Sequence, residues 1–222
     1  MNLKNQIFKI NSDSEFNAIS LEMFNYQYKN NAVYHRFCDL LKINPALIQK
    51  VTQIPFLPIE FFKNKTIKTG QFKAEITFLS SGTTGKTQSK HYVKNLKLYE
   101  NSFTNSFHQF YGNIKDYCVL ALLPSYMERE GSSLIYMAKN LIQTSQHPAS
   151  GFYLNNFDAL VKQLQLLEKQ NQKTILLGVS FALLDLAEKY QLNLKNTIVM
   201  ETGGMKGRRK ELVREELHKE LC

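Results

Sequence analysis

The sequence predicts an α/β protein: a mostly parallel sheet flanked by helices, preceded by a helical N-terminal segment. Three observations carry that prediction. From Ala74 onward, short apolar runs of strand length alternate with longer amphipathic stretches, the pattern of strands covered by helices on both faces. Ahead of Ala74, apolar residues recur at helical spacing instead. Hydrophobic residues make up 43% of the 222, enough to bury the core of one large or two small domains. The boundary is placed between a helical segment, residues 1–63, packed on a main domain, and an α/β portion, residues 64–222.

The elements follow in order. Ser12-Asp13-Ser14-Glu15 has the spacing of a capping box, and Phe16, Ile19, Met23, Phe24 and Tyr26 follow at the intervals of one helix face. A second helix is predicted over Ala32–Leu41, with Val33, Tyr34, Phe37 and Leu41 inward. Asn44-Pro45 suits the start of a short third one. Strands are predicted at Ala74–Leu79, Tyr117–Leu123, Gly151–Leu154, Thr174–Gly178 and Asn196–Met200. Helices are predicted at Lys94–Phe110, Ser132–Gln143, Asn156–Gln170, Phe181–Tyr190 and Arg208–Leu221. In such a sheet ligands gather beyond the carboxyl ends of the strands. The stretch after Leu79, residues Pro124–Gly131, Ser180, and Glu201–Gly207 all fall there, so motifs distant in sequence are expected to converge on one crevice.

Composition removes several classes. No run of 18 apolar residues exists, so no transmembrane helix is expected. Met1–Gln6 lead into no apolar signal core, which argues against export. Cys38, Cys118 and Cys222 show no metal-binding spacing, and so sparse and odd a set fits a reducing cytoplasm. Cys118 lies mid-run among Tyr117, Val119 and Leu120 and is expected to be a core residue. The formal charge of +9 suits nucleic acid, nucleotides, CoA or acidic carrier proteins alike. No nucleic-acid-binding motif is present, so nucleic acid is not the expected partner.

The stretch from Phe78 to His91 carries the most chemistry. Ser80, Ser81, Thr83 and Thr84 supply hydroxyls, Lys86 and Lys90 supply charge, and Gly82 and Gly85 allow a tight turn close to an oxyanion. Consecutive backbone N–H groups in such a loop form an anion nest, for which a triphosphate is the natural guest. Only Thr83 and Thr84 separate the two glycines, so this is not a Walker A loop. The alternative is a polar Ser/Thr/Gly linker.

Ser80-Ser81-Gly82-Thr83-Thr84-Gly85-Lys86 resembles the phosphate-binding motif of the adenylate-forming enzymes, the acyl-CoA synthetase and luciferase superfamily. Ile54-Pro55-Phe56-Leu57-Pro58-Ile59-Glu60-Phe61-Phe62-Lys63 precedes it. Leu123-Pro124-Ser125-Tyr126-Met127-Glu128-Arg129, Ser132-Ser133-Leu134 and Glu201-Thr202-Gly203-Gly204-Met205-Lys206-Gly207-Arg208 follow it. In this order, from about Ile54 to the C-terminus, the segments resemble the acyl-protein synthetases of bacterial bioluminescence fatty-acid reductase complexes. They are similar, more distantly, to phenylacetate-CoA ligase.

The resemblance implies ATP and Mg²⁺, a carboxylic acid substrate of the fatty-acid class, an acyl-adenylate, and transfer to a thiol on an acyl-accepting protein or CoA. It implies that Ser80 to Lys86, with Lys90, surround the phosphates. It places Gly203, Gly204 and Met205 along the adenine, and Ser125 and Tyr126 beside the acyl group. Thr87-Gln88-Ser89 separate Lys86 from Lys90 where many relatives place Pro-Lys, so either lysine fits the phosphate-facing role. No catalytic side chain and no metal ligand is assigned. For the aromatic front segment, packing is the first reading and a contribution to an acyl site the second.

Relatives continue with a Tyr-Gly-x-Thr-Glu-like motif, an acid for the ribose and a mobile domain with a catalytic lysine. Tyr111-Gly112 is the only Tyr-Gly pair here and lacks the threonine and the acid. The chain is therefore expected to be a truncated ligase, with weak ATP binding and no adenylate formation alone. Two rivals remain: a non-catalytic nucleotide- or anion-binding module, and an α/β serine hydrolase. The latter rests on Gly178-Val179-Ser180-Phe181-Ala182, which approximates a nucleophile elbow but ends in Ala182 and has only His218 downstream. Ser180 as a helix N-cap is the simpler expectation.

Overall fold

The computed structural model describes residues 3–80, 87–123, 131–154, 156–203 and 212–221. They form an α/β protein of two compact units, residues 1–105 and 106–222.

The first unit is helical, with one hairpin. Its helices are α1 (Leu3–Gln6), α2 (Asp13–Asn30), α3 (Ala32–Leu40) and α4 (Phe61–Asn64), with short 3₁₀ turns at Pro45–Leu47 and Val51–Gln53. The caps are those the residue types dictate. Ser12 Oγ accepts from the Glu15 N–H, Asn31 Oδ1 from Tyr34, and Asn44 Oδ1 from Ala46. The capping box at Ser12 is shifted by one residue, because the Glu15 carboxylate accepts from the Asn11 N–H. Phe24, Tyr34 and Cys38 form the centre of this unit's core, with Tyr28, Phe37, Ile43, Ile48, Ile54 and Leu57 packed around it. Phe24 and Tyr34 meet edge to face at 6.2 Å, a favoured aromatic geometry.

Phe16, Tyr26 and Leu41, expected to point inward, are 50%, 46% and 51% exposed. The expectation assumed that the whole face of α2 is covered. Instead Phe16 and Tyr26 line a cavity.

Strand β1 (Ile76–Leu79) pairs antiparallel with β2 (Lys90–Val93), in the register Ile76 with Val93 through Leu79 with Lys90. This corrects the placing of Ala74–Leu79 in the parallel sheet. Its partner lies in the polar segment after the glycine loop, which has no apolar run to betray a strand. Helix α5 (Leu96–Tyr111) starts where the Glu75 carboxylate accepts from the Leu96 N–H at 2.7 Å. An acid there complements the helix dipole. The division between the units falls within α5.

The second unit holds a four-stranded parallel sheet in the order β4-β3-β5-β6. The strands are β3 (Cys118–Leu122), β4 (Gly151–Phe152), β5 (Thr174–Val179) and β6 (Thr197–Thr202). They are joined by α6 (Ser133–Ser145), α7 (Phe157–Lys169) and α8 (Ser180–Lys189), and α9 (Arg214–Leu221) follows. Every residue of β3 and β5 is buried, as their unbroken apolar runs require. From β3 the chain steps outward to β4, then back across β3 to β5, and onward to β6. Right-handed crossovers then place α6 on one face and α7 and α8 on the other. At the edge strand β6, Ile198 and Val199 are exposed.

Ser180 is the first residue of α8 rather than its cap. Val179 holds the cap position and makes no side-chain bond there. The last helix begins at Arg214, later than the expected Arg208, and residues 204–211 lie outside the described residues.

Candidate functional site

The glycine- and hydroxyl-rich loop connects β1 to β2, so it forms the tip of a hairpin in the first unit. Ser81, Gly82, Thr83, Thr84, Gly85 and Lys86 lie outside the described residues, but both ends of the loop are in place. Ser80 N–H donates to the Ser89 carbonyl at 3.0 Å, and Ser89 N–H donates to Ser80 Oγ at 2.9 Å. Gln88 Nε2 donates to the Ser80 carbonyl at 3.0 Å. The loop thus springs from a closed base. Lys90 begins β2 just beyond it and is exposed. Between Ile76 and Tyr99 the chain carries Lys86, Lys90, Lys94 and Lys97 and no acidic residue. A segment with positive charge and hydroxyls but no carboxylate suits a polyanion. Gln88 and Ser89 went unassigned in the sequence, where only their polarity was visible.

The second unit offers a topological feature of a different kind. The neighbouring strands β3 and β5 are followed in the chain by strands on opposite sides of the pair, β4 and β6, and such a switch point is where open α/β sheets take ligands. Leu123 and Ser180 directly follow the two strands. Ser125 and Tyr126, in the connection after β3, lie outside the described residues, as do Gly204 and Met205. Gly203 directly follows β6, whose end is tied back by a bond from Thr202 Oγ1 to the Gly178 carbonyl at 3.2 Å.

Ser180 is 3% exposed, and its hydroxyl donates to the Glu201 carboxylate. A serine nucleophile is activated by an adjacent base, an imidazole in the Ser-His-Asp template. Ser180 instead bonds to a carboxylate, in the place where that template has an imidazole. The bond ties α8 to β6, a structural use that sequence reading missed because 21 residues separate the pair.

Cys118 and Cys38 are both 0% exposed. Burial pushes the Cys118 thiol up to about 11, and the hydrogen bond from Ser150 to its sulfur opposes this only in part. Burial likewise raises the Cys38 thiol. Neither is suited to attack an acyl group.

The first unit also contains a cavity of about 710 Å³ that sequence reading did not locate. Ile19, Met23, Phe24, Ile54, Phe56 and Phe72 supply much of its apolar wall, and Lys68, His91 and Lys94 its basic groups. Its wall is assembled from residues between Ile7 and Lys94, too widely spaced for any one periodicity to reveal.

These features define the class: an α/β protein with a glycine- and hydroxyl-rich loop between two hairpin strands and a parallel sheet with a switch point in its strand order. The family model described as acyl-protein synthetase, LuxE, matches residues 7–124, more than half of the 222, and the chain belongs to that family. The match begins earlier than the resemblance read from motifs, taking in α2, α3 and α4 of the first unit but not α1, and ends just after β3. No curated protein and no solved structure matches the chain. Among the described residues no helix is long and apolar enough to cross a membrane.

Proposed function

We propose that the chain serves the ATP-dependent activation of a carboxylic acid, of the fatty-acid class, as an acyl-adenylate, with transfer of the acyl group to a thiol. An oxygen of the acid's carboxylate bonds to the α-phosphorus and pyrophosphate leaves. The thiol sulfur then bonds to the acyl carbon, its proton is lost, and AMP leaves. An acyl-accepting protein or CoA would supply that thiol. Family membership supports acyl-protein synthesis in general. The observation that carries the nucleotide half is the hairpin, a closed base bearing a loop whose sequence holds hydroxyls, glycines and a lysine, with no acid in the sequence between Ile76 and Tyr99.

The substrate supplies its own nucleophile, so the protein's work is positioning and charge stabilisation. In this reading Ser80 to Lys86 and Lys90 surround the phosphates, Gly203, Gly204 and Met205 border the adenine, and Ser125 and Tyr126 border the acid. The donor set around Ser80 fits phosphate oxygens. Magnesium would offset their charge. Among the described residues no group of three or more His, Cys, Asp or Glu is placed to hold a metal, and no metal ligand is proposed.

Calorimetric titration with ATP tests the nucleotide half, with binding expected. ATP–pyrophosphate exchange against straight-chain carboxylic acids tests the acid half: exchange that depends on the added acid supports the reaction class, and robust exchange by these 222 residues alone would overturn the expectation that they form no adenylate and with it the placing of the site. Capture of Ser180 by a fluorophosphonate would overturn the reading in favour of a hydrolase.

A further inference from the structure

We propose that the cavity of the first unit binds the alkyl chain of a long-chain carboxylate, with the carboxylate held at Lys68. The proposal deepens the acid half of the function given above, rests on it for the choice of an acyl ligand, and gives that ligand a site in the first unit in place of the one beside Ser125 and Tyr126. The binding site itself is argued from the cavity.

The cavity's volume of about 710 Å³ is that of a small-molecule site. Its polar wall groups largely satisfy one another. Thr69 Oγ1 donates to Gln27 Oε1 at 2.6 Å, Asn31 Nδ2 donates to Thr69 Oγ1 at 3.4 Å, and the Tyr34 hydroxyl donates to the Pro55 carbonyl at 2.7 Å. What remains to meet a ligand is apolar surface and positive charge. Among the described residues its lining contains no aspartate or glutamate.

Lys68 is half-buried. Its ammonium donates to the Phe72 carbonyl at 3.1 Å and lies 5.0 and 4.9 Å from the ring centroids of Phe72 and Tyr92. That leaves donors of a three-donor group for another acceptor. Among the described residues neither Lys68 nor Lys94 forms an ion pair. At the other extreme, Phe16 and Phe56 line the same cavity while 50% and 74% exposed. Apolar surface beside an unpaired cation fits one kind of small ligand, an amphiphile with a single anionic head.

The position is also apt. Lys90, at the exit of the glycine loop, and Tyr92, beside Lys68, are two residues apart on β2, or about 7 Å along an extended strand. A carboxylate at Lys68 would lie within a few residues' reach of the loop read above as the phosphate site.

The test is calorimetric titration of the chain, without ATP, with saturated straight-chain carboxylates of increasing length and the matching alcohols, below their micelle concentrations. Each added methylene should tighten binding about fourfold until the cavity is filled. The acid should bind at least ~10-fold more tightly than its alcohol, which is the scale of a charge-assisted contact. Lys68→Met should abolish that preference and keep the dependence on length. Met23→Trp should block long chains, and its thermal melt shows whether it is folded.

Affinity independent of length, equal binding of acid and alcohol, or a dimer broken by Phe56→Asp with no carboxylate bound would each overturn the proposal. ATP binding without carboxylate binding removes this site and leaves the nucleotide reading standing. Carboxylate binding without ATP binding does the reverse.

Discussion

Ser80 and Ser89 close the base of the β1–β2 hairpin through two hydrogen bonds, one between backbones at 3.0 Å and one from the Ser89 N–H to the Ser80 hydroxyl at 2.9 Å. Only the second depends on the side chain. Ser80→Ala removes it and leaves the exposed Ser89 N–H to water, so the stability cost should be small, about 0.5–1.5 kcal/mol. The larger effect should fall on the loop that this base anchors. ATP affinity is expected to drop several-fold while the thermal melt moves by only a few degrees. An unaltered ATP titration would mean that the hairpin base does not organise the loop proposed to bind phosphate.

Thr84→Ala combined with Lys86→Ala should weaken ATP binding without unfolding the chain. Substitutions in a polar loop at a hairpin tip rarely cost much stability. In the proposed reading Lys86 faces phosphate, so its loss removes a charge-assisted contact, and each ~1.4 kcal/mol of it is tenfold in affinity. A double variant with wild-type ATP affinity would reassign the loop as a linker.

Cys118 should resist alkylation in the folded protein. It is fully buried on β3, and its thiol is pushed up to about 11, so almost no thiolate exists at neutral pH. Mass spectrometry after iodoacetamide treatment should show Cys118 unmodified until denaturant is added. Rapid native labelling would place it in a site open to solvent.

These residues also show what sequence could and could not reveal. The run from Cys118 to Leu122 reads as a strand because burial on both faces demands unbroken apolar residues, and Asn156 and Ser132 read as helix starts because their side chains accept from the first turn. Strand β2 did not read as one. Lys90-His91-Tyr92-Val93 has one face in polar surroundings, and its identity depends on pairing with β1 across the loop. The bond from Ser180 to Glu201 and the cavity behind Lys68 depend on tertiary approach in the same way. Local pattern carries elements; it carries no information on which elements meet.

Gly178→Ala should destabilise the second unit. A Cβ built at Gly178 would fall 2.6 Å from Leu183 Cγ, closer than carbon atoms approach, and Leu183 is buried on α8. The leucine cannot swing to solvent, so strand and helix must part. Overpacking of this kind costs about 1–3 kcal/mol. A urea denaturation midpoint equal to wild type would show that α8 shifts freely on β5.

Glu168, near the end of α7, fastens that helix to the entry of β6. Its carboxylate accepts from the backbone N–H of Lys195 at 3.0 Å and of Asn196 at 3.1 Å, from Asn196 Nδ2 at 3.2 Å and from Thr197 Oγ1 at 2.8 Å. Partial burial works against ionisation, but these bonds outweigh it and hold the carboxyl below its usual value. A carboxyl whose folded value lies below its unfolded one releases its proton more readily when folded. The stability it contributes is therefore whole above the unfolded glutamate value, about 4.3, and fades as pH falls through the folded value. Glu168→Gln keeps the shape but turns an NH₂ toward groups that are themselves donors. It should cost roughly 0.5–1.5 kcal/mol at pH 7, modest because the site is partly open to water. Urea midpoints of wild type and variant, measured from pH 7 down to pH 3, should stay apart above about pH 5 and converge below the ordinary glutamate range. A gap that persists undiminished to pH 3 would mean that Glu168 acts through packing, and that its ionised form has no part in fastening α7 to β6.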